Sequence, residues 1–129
     1  MSPRAPRRPL LGLIALVVAL PLALQAFGGW SRARLGDAVA RQARPGDIRM
    51  IGSVTCTYCA QARAWFDAHR VAYTECRIEL DASCAQAYRT LLAPGTPVVI
   101  VRGRPLLGFD ARAIAQALAD APLSGPRVQ

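Results

Sequence analysis

Two cysteines stand three positions apart in Cys56-Thr57-Tyr58-Cys59, between an apolar run (Ile48 to Val54) and an alanine-rich helical pattern (Cys59 to Arg70). This reads as a strand, a tight turn and a helix, with Cys56 at the helix N-terminus. There the first N–H groups lack intrahelical partners and the helix dipole is positive. Both favour the thiolate, the form of cysteine that attacks disulfides. One helical turn puts Cys59 within reach of Cys56, so the spacing suits a pair that cycles between dithiol and disulfide. A structural pair or half of a zinc site would use the same spacing, but the strand–turn–helix setting is the one redox chemistry requires.

A second pair, Cys76 and Cys84, falls between a strand end and a helix start. In an oxidising compartment it can form a structural disulfide, if the Cα atoms lie within about 7 Å. Two free thiols, a redox relay, or a four-cysteine site with Cys56 and Cys59 are the alternatives. The C-x2-C…C-x7-C spacing is poor for zinc, and no metal is expected.

The elements that hold these cysteines must come from 129 residues, room for one domain plus extensions. All sixteen cations are arginine and the net charge is +8. Residues 1–46 carry seven arginines against Asp37 alone, whereas residues 47–120 carry eight against seven carboxylates. The basicity thus flanks a hydrophobic segment, where arginine meets lipid head groups or sets topology. A nucleic-acid partner is not expected.

Residues 1–9 form a basic tail, and Leu10 to Trp30 contain no charge. Twenty-one helical residues span about 30 Å, the thickness of a bilayer core. Two readings stand: a transmembrane signal anchor over 10–30, which the length of the run favours, or a cleaved signal peptide. Both send the rest of the chain out of the cytoplasm. Arginines on both sides leave the positive-inside count undecided; the short tail and the extra cysteines favour an inside N-terminus. Residues 31–46 read as an arginine-rich tether that begins as a short helix over Leu35, Ala38, Val39 and Ala40.

Residues 47–120 read as the folded domain. Strands are expected at Ile48–Val54, Val71–Leu80, Thr96–Val101 and Leu106–Phe109. Helices are expected at Cys59–Arg70, Ser83–Leu92 and Ala111–Ala119. Alternation along the second strand puts Cys76, Ile78 and Leu80 on the core side and Glu75, Arg77 and Glu79 outside. Trp65 and Phe66 read as core, and His69 as a last-turn cation that suits the helix dipole. Residues 121–129, with two prolines, read as a disordered tail. The order gives an α/β fold: a four-stranded mixed sheet with three helices, preceded by the hydrophobic helix.

Three motifs carry a resemblance. Cys56-Thr57-Tyr58-Cys59 is similar to Cys-Pro-Tyr-Cys, Gly95-Thr96-Pro97 to Thr-Val-Pro, and Gly108-Phe109-Asp110 to the Gly-Gly-x-Asp region of glutaredoxins, members of the thioredoxin superfold. The resemblance covers about residues 47–120 and suggests a membrane-anchored bacterial glutaredoxin-like protein. It implies that Cys56 is the nucleophile and Cys59 the resolving thiol. It also implies a cis Pro97 facing Cys56, and substrate contacts from Thr57, Tyr58, Thr96, Pro97, Gly108 and Asp110. Protein disulfides or glutathione mixed disulfides would be the partners, with glutathione as co-substrate, no bound cofactor and a monomeric chain. The redox domain would be periplasmic, on a single-pass anchor in the inner membrane. Departures stand at Ser53, where the family has a lysine, at Thr57, where it has a proline, and at Leu107, where it has a glycine; Arg63 or Arg104 is left to supply a carboxylate partner. An iron–sulfur or metal-binding module and a non-catalytic tethered interaction domain are the competing functions.

Overall fold

The computed structural model describes residues 7–120; the tail expected at 121–129 and residues 1–6 lie outside them. The first helix, α1, spans Arg7–Gln42, so the basic tail is already helical from Arg7. The chain divides into two units, one ending at Ala33 and one beginning at Arg34.

The first unit is the apolar part of α1, with Pro21 inside it. Its large side chains, from Leu10 to Trp30, are exposed. The segment Leu10–Gln42 holds an 18-residue window of mean hydropathy 2.4 with none of it buried, long and apolar enough to cross a membrane.

The second unit holds the remaining elements: β1 (Ile48–Gly52), α2 (Thr57–Ala68), β2 (Thr74–Arg77), α3 (Ala82–Thr90), β3 (Val98–Val101), β4 (Arg104–Leu107) and α4 (Ala111–Asp120). The sheet order is β2-β1-β3-β4. β1 and β2 are parallel, with Ile51 opposite Cys76, as a strand–helix–strand crossover requires. β1 pairs antiparallel with β3, and β3 with β4. The β3–β4 turn is Arg102-Gly103, both at positive φ (48° and 85°), the backbone that a two-residue hairpin needs.

Both faces of the sheet are covered. On one, Ile48 and Met50 of β1 and Val99 and Val101 of β3 meet Phe66, Ile114 and Leu118 from α2 and α4. On the other, Ile51 and Val98 meet Cys84 of α3, with Cys76, Ile78 and Tyr88 packed around them. Adjacent strand residues thus serve opposite cores, which explains why the strands read as continuous apolar runs.

Several expectations need correction. The stretch 31–46, read as a tether, is helical to Gln42, and Val39 (0 % exposed) and Ala43 belong to the core. Strand β1 ends two residues early and β2 is only four long, because the chain turns at Arg77, where Leu80 N–H bonds the Arg77 carbonyl at 3.1 Å. Leu80 is therefore exposed, not core. Glu75, expected outside, is only 14 % exposed: its face of β2 is covered by α2. His69 is the C-cap residue of α2. Its ring centroid lies 4.5 Å from that of Trp65, tilted by 53°, and the ring lies where a side chain on Gly36 would be; its Nε2 is buried without a hydrogen-bond partner.

Arg102 ties these pieces together. It pairs with Asp47 at 3.0 Å and donates to the carbonyls of Leu118 at 2.8 Å and Gln42 at 3.4 Å. That guanidinium holds the Asp47 carboxyl below its usual range.

Candidate active site

Cys56 is the N-cap of α2, in extended backbone (φ −81°, ψ 105°). Its Sγ accepts the Cys59 N–H at 3.0 Å, filling the place usually taken by a serine or aspartate oxygen. Its own N–H bonds the Ser53 carbonyl at 3.3 Å and closes the loop. Cys56 and Cys59 are joined as a disulfide, with Cα atoms 5.2 Å apart. The two sulfurs differ in access: Cys56 is half-buried, whereas Cys59 is fully buried against the Phe66 cluster.

Beside the first turn of α2 lies a pocket of about 330 Å³, lined by Tyr58, Gln61, Thr96, Pro97, Gly108 and Phe109. Four residues named from sequence thus share one wall: Tyr58, Thr96, Pro97 and Gly108. The Thr96–Pro97 peptide is cis. Gly108 has φ +77° and donates its N–H to the Pro97 carbonyl at 2.9 Å, which draws the end of β4 against the proline. Thr57 is exposed in the first turn of α2. Asp110 stands apart from the lining. Its Oδ1 caps α4 by accepting the N–H groups of Arg112 (2.8 Å) and Ala113 (3.2 Å).

Cys76 and Cys84 form a second disulfide, S–S 2.03 Å, with Cα atoms 5.9 Å apart. The Arg49 guanidinium lies 3.4 Å from the Cys76 sulfur. This pair packs with Ile51 and Val98, while Cys59 packs with Met50 and Phe66 on the opposite face. The sheet therefore separates the two disulfides.

Two carboxylates near the dithiol were missed in the sequence. Glu79 accepts from the Ser53 hydroxyl and, at 3.1 Å, from the Val54 N–H. Glu75 takes Arg63 in two hydrogen bonds, at 2.9 and 2.7 Å, with Arg77 at 3.7 Å. The Arg63 hydrogen bond holds the Glu75 carboxyl below its usual range against the opposing effect of burial. A Cβ on Gly52 would sit 3.3 Å from both Cys59 Sγ and Glu75 Oε1. Strand alternation pointed both glutamates at water; only the helix over β2 and the turn after it reveal their places. Of the two arginines suggested as the substrate's carboxylate partner, Arg63 is ion-paired with Glu75 at 2.7 Å, and the exposed Arg104 lies 3.7 Å from Asp120.

Residues 48–106 match the family model of Glutaredoxin. The fold is thioredoxin-like. Its similarity to a mutant of the thioredoxin-like protein BC3987 covers 57% of this chain and 96% of that one, at 23% identity and a TM-score of 0.51. The chain is also similar to methanoredoxin from Methanosarcina acetivorans, at 20% identity and TM-score 0.49, covering 59% of this chain and 87% of that one. A glutaredoxin from Archaeoglobus fulgidus is similar at 16% identity and TM-score 0.47, with 58% and 87% covered. No curated protein matches the chain. The family match supports thiol–disulfide chemistry in general terms.

Proposed function

We propose that residues 47–120 form a glutaredoxin-like thiol–disulfide oxidoreductase with Cys56 as nucleophile and Cys59 as resolving thiol. One observation carries the reading: the disulfide sits at the N-cap of α2, with the Cys56 sulfur accepting a helix N–H beside an open pocket. In the reduced enzyme the same N–H and the helix dipole would stabilise a Cys56 thiolate. That thiolate attacks one sulfur of a substrate disulfide, forming the Cys56 mixed disulfide and expelling the other sulfur as a thiolate. Cys59 loses its proton and attacks Cys56 Sγ. The second substrate thiolate leaves, two electrons have passed to the substrate, and the 56–59 disulfide remains. A dithiol donor restores the reduced state.

The difference in access supports the division of roles, since an incoming disulfide reaches the half-buried sulfur before the buried one. The pocket walls, with Tyr58, Thr96, Pro97 and Gly108, would hold the substrate chain next to the dithiol, with Thr57 at the rim. Asp110 would act on the substrate through the α4 cap. Protein disulfides or glutathione mixed disulfides are the substrates, and the domain acts as a monomer. The apolar part of α1 would be the anchor of a single-pass bacterial inner-membrane protein with the domain in the periplasm. A membrane-impermeant thiol reagent should then label the reduced domain in intact spheroplasts; labelling only after lysis would reverse the orientation.

The deciding experiment is reduction of a protein disulfide by the full chain in detergent. Cys56→Ser should abolish it, and Cys59→Ser should accumulate mixed disulfides. Full activity in Cys56→Ser would refute the proposal.

A further inference from the structure

After β2 the chain turns through Ile78 to Leu80 and brings Glu79 against the loop ahead of Cys56. The Glu79 carboxylate takes the Ser53 hydroxyl on one oxygen and the Val54 N–H, at 3.1 Å, on the other. Cys56 closes the same loop through its N–H to the Ser53 carbonyl. Only two Cα steps of about 3.8 Å each separate Val54 from Cys56. The carboxylate charge is thus fixed on the loop that leads into the reacting sulfur, where low salt leaves it least screened. The Ser53 hydrogen bond holds this carboxyl below its usual range, so it is ionised at neutral pH.

On the other side, the six residues lining the pocket are Tyr58, Gln61, Thr96, Pro97, Gly108 and Phe109, none with a formal charge. The next residue, Asp110, is acidic. Among the nearby cations, Arg63 is held by Glu75, and Arg77 divides its charge between Glu75 and Glu79. The surroundings of the dithiol thus combine a neutral, aromatic-walled pocket at Tyr58 with the Glu79 carboxylate on the loop ahead of Cys56.

We infer that Glu79 determines specificity, admitting polypeptide disulfides with apolar or cationic flanks and disfavouring small anionic disulfides such as oxidised glutathione. The inference rests on the oxidoreductase reading and names its substrate class. A like charge beside the nucleophile opposes the encounter with an anion and favours a cation, and the effect fades with salt. The apolar side chain next to the substrate's half-cystine would enter the pocket beside Tyr58 and Phe109.

The test uses the full chain in a zwitterionic detergent and three mixed-disulfide peptides with the same apolar flank, carrying two aspartates, two arginines or no charge. Wild type should favour the arginine peptide over the aspartate peptide by about tenfold in kcat/KM at low salt, a ratio that collapses near 0.5 M salt. Glu79→Gln should narrow the ratio about threefold, through KM. Ser53→Ala, which loses the hydroxyl clamp but keeps the charge, should keep the ratio. Equal rates for the charged peptides in wild type, or a ratio that Glu79→Gln leaves intact, would overturn the inference. Inactivity towards all three would instead overturn the oxidoreductase reading and this inference with it.

Discussion

Glu75 and Cys59 lie on either side of the side chain that Gly52 lacks: a Cβ there would be 3.3 Å from Glu75 Oε1 and 3.3 Å from Cys59 Sγ. The resolving sulfur and an ion-paired carboxylate are thus close-packed across one backbone position. Gly52→Ala should force both neighbours to give by a few tenths of an ångström. The expected cost is about 1 kcal/mol, read in urea unfolding, with slower release of substrate from the Cys56 mixed disulfide in single-turnover kinetics. Unchanged stability and unchanged release would show that the contact has slack.

The same carboxylate predicts an acid limb in the stability profile. Its folded pKa is depressed from 4.5, chiefly by Arg63. A depressed folded pKa means that the unfolded chain binds the proton more tightly. The stabilisation is then present above about pH 4.5 and is lost as pH falls through the folded value. Asp47, depressed by Arg102, acts in the same sense from 3.8 downward. Glu75→Gln should flatten the decline below pH 4.5, measured as the urea midpoint against pH; an unaltered slope would assign the decline to other groups.

Phe66 is fully buried, with Trp65, Tyr73 and Phe109 rings 4.6 to 5.7 Å from its own. Phe66→Ala should cost about 3–5 kcal/mol. Because Phe109 also lines the pocket, the variant should lose substrate affinity as well as stability, seen as a raised KM at temperatures where it stays folded.

The second disulfide closes a short loop, Cys76 to Cys84. Replacing both residues by alanine should cost about 2–3 kcal/mol, the chain-entropy value for such a loop. Turnover at Cys56–Cys59 should persist below the new melting temperature, because the sheet stands between the pairs. Loss of turnover in the folded variant would establish a relay.

Val39 tests where the folded unit begins. It is 0 % exposed and packs in the cluster that contains Phe66. Val39→Ala should destabilise the domain by about 2 kcal/mol, measured by thermal unfolding of the full chain. A change within about 0.5 kcal/mol would make residues 34–43 dispensable.

Much of this was legible in local patterns. The dithiol is read from residue types at short spacing, Thr96-Pro97 and Gly108 are named through the resemblance to glutaredoxins, and the continuous apolar runs announced a sheet covered on both faces. What escaped depended on elements distant in sequence. Val39 sits among arginines and looks like tether until the Phe66 cluster is assembled over it. Glu75 and Glu79 follow the period of a strand, and a period says which residues share a face without saying what covers it. Leu80 matched the period too, but the strand had already ended at Arg77.

The two-faced sheet has a further consequence for how the chain matures. Four cysteines allow three ways of pairing. Once β1 lies between β2 and β3, Cys59 faces one side and Cys76 and Cys84 the other, and both crossed pairings would have to pass through the backbone of the sheet. Strand pairing thus acts as its own proofreader: an oxidant that arrives after the sheet has formed needs no selectivity to produce the correct bonds.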